Sequence, residues 1–97
     1  LFAPVDPTIV CRIQSHTSRV RCIAFHEHLS LLATGFQNRT IILYNLTTLP
    51  PVIQHHFQYP MSRILRIVFH QKLPIFASLL LHGTDDSIIV LRNFNSI

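Results

Sequence analysis

Short apolar blocks, each closed by turn-forming residues, recur along the whole chain. The blocks Val20–Phe25, Leu31–Gly35 and Thr40–Tyr44 are rich in β-branched and aromatic residues, which favours strands. No block shows a sustained period of about 3.6 residues, and proline recurs too often for long helices. The pattern therefore predicts an all-β chain. The continuous apolar run at 88–91 is typical of a strand covered on both faces.

The blocks are arranged as two copies of one unit. Three stretches of the first copy recur in the second: 18–26 in 62–70, 29–34 in 73–78, and 35–45 in 83–93. The spacing is 44 residues for the first two stretches and 48 for the third, so the second copy carries an insertion at 79–82. This alignment also places the two glycines, Gly35 and Gly83, at corresponding positions. Self-similarity at such a spacing predicts a repeat architecture.

The ordered elements resemble the WD-repeat β-propeller family over nearly the whole chain. A unit of that family has an outer strand and a His, a Val-led strand, a Phe-His corner, a Leu-Ala-Thr-Gly strand, an Asp turn, and a strand ending in Trp-Asp. The first copy follows this order with His16, Val20, Phe25-His26, Leu32-Ala33-Thr34-Gly35, Asn38 and Tyr44-Asn45. Its spacing lies near the family's repeat of roughly 40–45 residues.

The resemblance implies a fragment of a β-propeller with about two four-stranded antiparallel blades. Residues 1–15 would hold the outer strand of a preceding blade, at Ile9–Gln14. Residues 16–57 would form the first repeat, with Pro51–Gln54 as an edge strand. Residues 58–97 would form a second, degenerate repeat without its outer strand. A propeller closes with roughly four to eight blades, so we expect the chain to act within a longer polypeptide or with other copies.

The resemblance also implies a buried polar network with a structural role, because buried polar groups persist only when they are paired. In the first copy its members would be His16, Thr34, Asn38 and Tyr44. The family's usual Asp and Trp are here Asn38 and Tyr44, so the network would be weaker and uncharged. In the second copy Asp86 is present, with either His82 or Ser78 as its partner.

Partner contacts in that family concentrate on the rim where the first strand begins and the tight turn projects. The matching positions here are Arg19, Arg21 and Gln37 in the first copy, and Arg63, Leu65 and Asp85 in the second. The planar guanidinium group pairs bidentately with carboxylates and phosphates. We therefore expect this rim to bind an acidic or phosphorylated segment of another protein. The alternative is that these arginines are ordinary solvated side chains.

Composition and net charge bear on which functions are expected. Hydrophobic residues make up 48% of the chain and charged residues 12%, which is rich in apolar groups for a small domain without neighbours. The net charge of +4 is scattered and lacks interleaved aromatic platforms, so nucleic-acid binding is an alternative that the pattern does not favour. A truncated fragment without independent function is another alternative.

Several other functional classes are not expected. The two glycines lie too far apart for a phosphate-binding loop and no nucleophile elbow is present, so we expect a binding protein and not an enzyme. His26 and His70 occupy equivalent corners, so repetition accounts for them without a metal, and no cofactor is expected. Cys11 and Cys22 are interpreted as free thiols of an intracellular protein, in the cytoplasm or nucleus. No apolar run reaches the roughly 20 residues of a membrane span.

Overall fold

The computed structural model describes residues 8–15 and 17–95, which form seven strands and, within those ranges, no helix. The strands are β1 (Val20–Phe25), β2 (Leu31–Phe36), β3 (Thr40–Asn45), β4 (Val52–Gln58), β5 (Ser62–Phe69), β6 (Ile75–His82) and β7 (Asp86–Asn93). The first four form one antiparallel sheet in the order β1-β2-β3-β4, and the last three form a second in the order β5-β6-β7. The predicted all-β class is confirmed.

The outer strands differ from the prediction. Strand β4 covers Val52–Gln58, so it continues past the predicted end at Gln54 and begins after the proline pair. The predicted strand Ile9–Gln14 is not formed in the described chain, where residues 9–15 have no strand conformation. A strand needs a neighbour for its backbone hydrogen bonds. The sheet that would precede the first unit in the repeat arrangement is not formed by any described residues.

The two units share the same corner between their first and second strands. The Nδ1 atom of His26 accepts hydrogen bonds from the backbone N–H groups of residues 28 and 29, at 3.0 and 3.1 Å. The Nδ1 atom of His70 accepts the same pair from residues 72 and 73, at 3.0 and 2.9 Å. Each imidazole thus closes a turn through its unprotonated nitrogen, which explains the repeated Phe-His pair.

The ends of the third strands repeat as well. Asn45 Oδ1 accepts the backbone N–H of Thr47 at 2.9 Å, and Asn93 Oδ1 accepts that of Asn95 at 2.9 Å. Both units also carry a β-bulge at the same place in the first strand, at Arg21 and at Leu65. The two sequence blocks are therefore equivalent at the level of individual hydrogen bonds.

The two glycines, in contrast, are not equivalent. Gly35 lies within β2 against β5, whereas Gly83 occupies the β6–β7 turn with φ at +70°. The four extra residues of the second copy lengthen both arms of the β6–β7 hairpin, so each of these strands has 8 residues where β2 and β3 have 6. Counting from strand β6, the position equivalent to Gly35 is Leu79. Glycine is required at the two positions for different reasons: close packing between the sheets at the first, and a left-handed turn at the second.

The sheets stack face to face, and their backbones approach most closely where β5 lies against β1 and β2. The side chains between them form one buried cluster. It contains Leu31, Ala33, Ile41 and Leu43 from the first sheet, Ile64, Ile67, Phe69, Phe76 and Leu80 from the second, and Tyr59 and Phe94 beside them. Three phenylalanine pairs, with ring centroids 5.5–6.1 Å apart, hold the β5–β6 side of this core.

Each sheet also has an outward face that carries apolar side chains. Ile23 and Phe25 on β1 are 58% and 63% exposed. Ile89 and Leu91 on β7 are 69% and 64% exposed. A single sheet pair with one buried interface leaves such faces open, whereas a longer stack would cover both.

Candidate functional site

The candidate site is the rim of the sheet pair where β1 and β5 begin. At this rim, hydrogen bonds from neighbouring segments hold the β2–β3 turn in place. The backbone N–H of Gln37 donates to the Arg19 carbonyl at 2.8 Å, and that of Asn38 donates to Ser18 Oγ at 2.9 Å. Ser18 is tied in turn to Ser15. The start of β1 and the β2–β3 turn therefore form one hydrogen-bonded surface.

Arg39 takes the left-handed position of this turn, with φ at 69°. Asparagine, which occupies the neighbouring position 38, tolerates a left-handed backbone better than arginine. The surroundings hold Arg39 there: its carbonyl accepts the Tyr59 N–H at 2.9 Å, and its guanidinium donates to the Pro60 carbonyl at 3.3 Å. Tertiary hydrogen bonds thus decide which turn residue is strained.

A small cleft of about 50 Å³ joins the two sheets at this rim. It is lined by Arg21, Gln37 and Arg63, with Phe36 and Ile64 as its apolar floor. Arg21 projects here because it is the extra residue of the β1 bulge, and bulges re-aim side chains at sheet rims. The structure therefore brings together three of the six residues that the sequence selected for partner contacts.

The remaining three residues lie around this cleft. Arg19 adjoins Gln37 and lines a shallow open groove with Ser15, Thr17, Ser18 and Asn38. Leu65 is the β5 bulge residue and is 41% exposed. Asp85 sits in the β6–β7 turn at the tip of the longer hairpin, outside the residues that line the cleft.

The charged side chains that line the cleft are both cationic. Of the carboxylates in residues 8–15 and 17–95, none lies within ion-pair distance of Arg19, Arg21 or Arg63. The contact of His28 Nε2 with Glu27 Oε2, at 3.9 Å, belongs to the opposite end of the sheet. Behind the cleft, burial raises the pKa of the Cys22 thiol, against the opposing effects of a Gly35 backbone hydrogen bond and the Arg21 charge. The exposed cations are available to an external anion.

The predicted polar network of the first unit is only partly placed. His16 lies outside the described residues. Thr34 and Tyr44 are buried on the same face of the first sheet, and burial raises the pKa of the Tyr44 hydroxyl. No hydrogen bond joins these two side chains to each other or to Asn38 within the described part of the chain. The register explains this, because Tyr44 stands opposite Leu32 and only diagonally to Thr34.

The second unit has a polar network that the sequence did not indicate. Arg92 Nε donates to the Tyr59 hydroxyl at 2.9 Å, and Ser78 Oγ hydrogen-bonds the same hydroxyl at 3.3 Å. Ser78 is fully buried, and the Arg92 guanidinium lies 4.8 Å from the Phe57 ring centroid. Tyr59 precedes β5 without any recognisable motif, so only the packing of the two sheets reveals its role.

Asp86 does not belong to this network. It is exposed at the start of β7 and pairs with His82 through the backbone ladder. The His82 ring lies instead beside Ser62, with Nδ1 to Oγ at 3.3 Å. Ser78, the other predicted partner of Asp86, faces Tyr59. The lengthened hairpin places Asp86 near its exposed tip, and within the described chain no hydrogen bond joins its carboxylate to His82 or Ser78.

Removing the Tyr59 hydroxyl should test the observed network. Tyr59→Phe is expected to lower the free energy of unfolding by about 1–3 kcal/mol, because a charge-assisted bond from Arg92 and a bond with buried Ser78 are both lost. Urea denaturation measures the change. Tyr44→Phe is the matched control and should cost less than about 1 kcal/mol, because no described hydrogen bond reaches its hydroxyl. An equal loss in both variants would contradict the assignment.

Within the residues that the structure describes, no group of three His, Cys, Asp or Glu side chains is placed to hold a metal ion. Across the same residues, no helix is long and apolar enough to cross a membrane. The described chain is thus an all-β protein of two stacked antiparallel sheets with a basic cleft at one rim. Its sequence matches no protein-family model and has no significant match among curated proteins.

Proposed function

We propose that this chain is a protein-interaction scaffold, formed by two consecutive units of a WD-repeat-type β-propeller. The proposal is supported by the repeated meander of strands, by the hydrogen bonds shared at equivalent corners, and by apolar faces on both sides of the sheet pair. Stacked sheets of this kind, with exposed apolar side chains on both outer faces, suit the middle of a ring in which each sheet has two neighbours.

Its working surface is the basic rim, and its ligand is an acidic or phosphorylated segment of a partner protein. The observation that carries this proposal is the cleft where Arg21 and Arg63, from different sheets, converge beside Gln37 with no carboxylate partner among the described residues. Two guanidinium groups and an amide supply several N–H donors to one anion. These groups suit recognition of an anion more than bond-making chemistry, so we propose binding and not catalysis.

The rim can be tested by removing its two converging charges. Arg21→Ala combined with Arg63→Ala is expected to weaken binding of a fluorescent phosphoserine peptide or an Asp/Glu-rich peptide by about tenfold or more, because each lost charged hydrogen bond is worth about 1.5–3 kcal/mol. Fluorescence anisotropy at fixed salt measures the affinity. Arg66→Ala with Lys72→Ala removes the same net charge from exposed sites away from the cleft and should change affinity by less than about twofold.

Two results would contradict the proposed ligand. If both double variants weaken peptide binding equally, the affinity depends on the net charge of the protein and the cleft has no special role. If an RNA oligonucleotide binds more tightly than either peptide, and its affinity falls steeply with salt, the rim is a nucleic-acid surface. Circular dichroism of each variant checks that the fold is retained.

A further inference from the structure

Equivalent residues of the two units have opposite exposure. Phe69 is 5% exposed, whereas Phe25, at the same position of the first unit, is 63% exposed. Leu43 is completely buried, whereas its counterpart Leu91 is 64% exposed. The same inversion holds for Ile67 with Ile23 and for Ile41 with Ile89, at 4% against 58% and 0% against 69%. In all of these pairs the residue type is identical.

The inversion has a simple geometric cause. The interface inside the chain joins one face of the first sheet, which carries Ile41 and Leu43, to the opposite face of the second, which carries Ile67 and Phe69. The faces left over are the ones with Ile23 and Phe25 on the first sheet, and with Ile89 and Leu91 on the second. The two outward faces therefore complement each other in the same way as the two faces that meet inside the chain. They belong to opposite sides of the molecule, so one chain cannot bring them together.

The chain also carries a candidate for the fourth strand that the second sheet lacks. Residues 8–14 precede Val52–Gln58, which form β4, by the 44 residues of the repeat. Ile13 in this segment reaches the first sheet, where it lines a cavity of about 160 Å³ with Leu32 and Tyr44. Residues 9–15 have no strand conformation.

Strand β4 contacts the second sheet at the equivalent position. Phe57, the counterpart of Ile13, packs its ring 5.5 Å from Phe76 and 4.8 Å from the Arg92 guanidinium. Phe76 and Arg92 are the counterparts of Leu32 and Tyr44. Strand β4 is paired along its length with β3. The free edge of β7 is the equivalent place for residues 8–14 of another copy.

We propose that a second copy of this chain binds head to tail, with the outward face of its first sheet on the outward face of the second sheet. Its residues 8–14 then pair with β7 and complete a four-stranded sheet. Such a contact is heterologous, so it repeats and closes only into a ring. With about four to eight sheets in a closed ring, the assembly contains about two to four copies. The inference rests on the repeat architecture of the proposed function and not on what the rim binds.

The register of the existing sheet fixes where the new strand would lie. Leu43 stands opposite His55 in the β3–β4 ladder. The corresponding positions are Leu91 on β7 and Cys11 in residues 8–14 of the second copy. Opposed residues on antiparallel strands have Cα atoms about 4.5–5.5 Å apart, which lies within the range of a disulfide. A cysteine at position 91 should therefore form a bridge with Cys11 of the neighbouring copy.

Cross-linking tests this contact directly. In a chain with Cys22→Ala, so that Cys11 is its sole thiol, Leu91→Cys is expected to give disulfide-linked dimers and higher species under oxidised glutathione. Non-reducing gels measure the products. Val68→Cys is the matched control, because Val68 lies on the same face at 51% exposure but two strands away from the β7 edge. Adding Cys11→Ser to the Leu91→Cys chain should abolish the cross-link.

A mixing experiment tests the head-to-tail direction. Ile23→Arg blocks the outward face of the first sheet, and Ile89→Arg blocks that of the second. Light scattering should find each variant monomeric and an equimolar mixture dimeric, because each partner keeps one intact complementary face. Unmodified chain, and the exposed-loop variant Leu73→Arg, should both form the closed assembly of about two to four copies. Circular dichroism checks folding, and Phe25→Ser with Leu91→Ser serves as a milder pair if the arginine variants unfold.

The proposal is overturned by any of three results: a monomeric unmodified chain at high concentration, a cross-link that persists with Cys11→Ser, or a single-face variant that still dimerises by itself. Aggregates of no defined size that survive both face substitutions also count against it. Peptide affinity measured on the face variants separates this proposal from the rim. If the assembly is lost while the peptide still binds, or the reverse, only one of the two proposals has failed.

Discussion

Replacing Phe69 with alanine should lower the free energy of unfolding by about 3–5 kcal/mol, whereas the same change at Phe25 should cost less than about 1 kcal/mol. The Phe69 ring is 5% exposed and packs at 6.1 Å from Phe76 and 5.9 Å from Phe94, so its loss leaves a cavity in the core. Phe25 is 63% exposed and already in contact with solvent. Local sequence is nearly the same around both residues, so strand propensity cancels in the comparison.

Urea denaturation measures both variants at a concentration where light scattering finds monomers, since self-association would cover Phe25. Leu43→Ala and Leu91→Ala form a second matched pair, with the larger loss expected at the fully buried Leu43. Equal losses within either pair would mean that the two sheets do not stack with the described faces inward.

Gly35→Ala should destabilise the protein by about 1–3 kcal/mol, although a Gly-to-Ala change inside a strand ordinarily stabilises it. A Cβ atom at position 35 would lie 2.8 Å from Cys22 Sγ and 3.0 Å from Ile64 Cγ2. Both neighbours are short side chains at the closest approach of the two sheets, so the sheets must separate or the side chains must leave their preferred rotamers. Thermal and urea unfolding report the size of the effect.

A second substitution tells overpacking from other causes. Cys22→Ala removes the nearest contacting atom, so the double variant with Gly35→Ala should recover part of the lost stability, whereas Cys22→Ala added to the unmodified chain should not stabilise it. A stabilising Gly35→Ala would contradict the close approach of β2 and β5. Gly83→Ala provides a contrast, because no atom lies within 4 Å and its cost comes from the left-handed φ of +70° alone.

The rim and the outward faces are separate surfaces with different chemistry. The cleft near Arg21 and Arg63 offers cationic donors on a turn that backbone hydrogen bonds hold in place. The faces around Phe25 and Leu91 offer apolar area without charge complementarity. A chain with both surfaces can bind an anionic ligand at its rim while its faces contact further sheets. Variants at one surface should therefore leave the other intact, which makes the two proposals independently testable.

Much of the fold follows from local pattern. The β-branched and aromatic blocks predicted the inner strands to within a few residues, as in Val20–Phe25, because strand propensity and turn residues act over short range. The paired histidines, His26 and His70, marked equivalent corners, because an imidazole two residues before a free N–H closes the same turn wherever it occurs. Residues 9–14 have no strand conformation, and local propensity does not supply the neighbouring strand that their backbone hydrogen bonds would need.

The candidate site was only partly predictable. The resemblance to WD repeats pointed to Arg21 and Arg63 among six rim positions, and the bulge that re-aims Arg21 places the two side chains at one cleft. Tyr59 had no signal, because its partners Ser78 and Arg92 come from strands that are distant in sequence. The role of Gly35 was also assigned to the wrong counterpart, because a four-residue insertion cannot be located by counting from glycines alone.

The sequence by itself determined the all-β class, the two units and their corners, since all of these depend on side chains within one turn or one strand. Tertiary structure decided which of two identical residues is buried, which turn residue is strained, and which polar groups meet between the sheets. The physical reason is that a strand has two faces, and its local sequence leaves open which of them another sheet will cover. Burial is a property of that second layer, and only the packed structure supplies it.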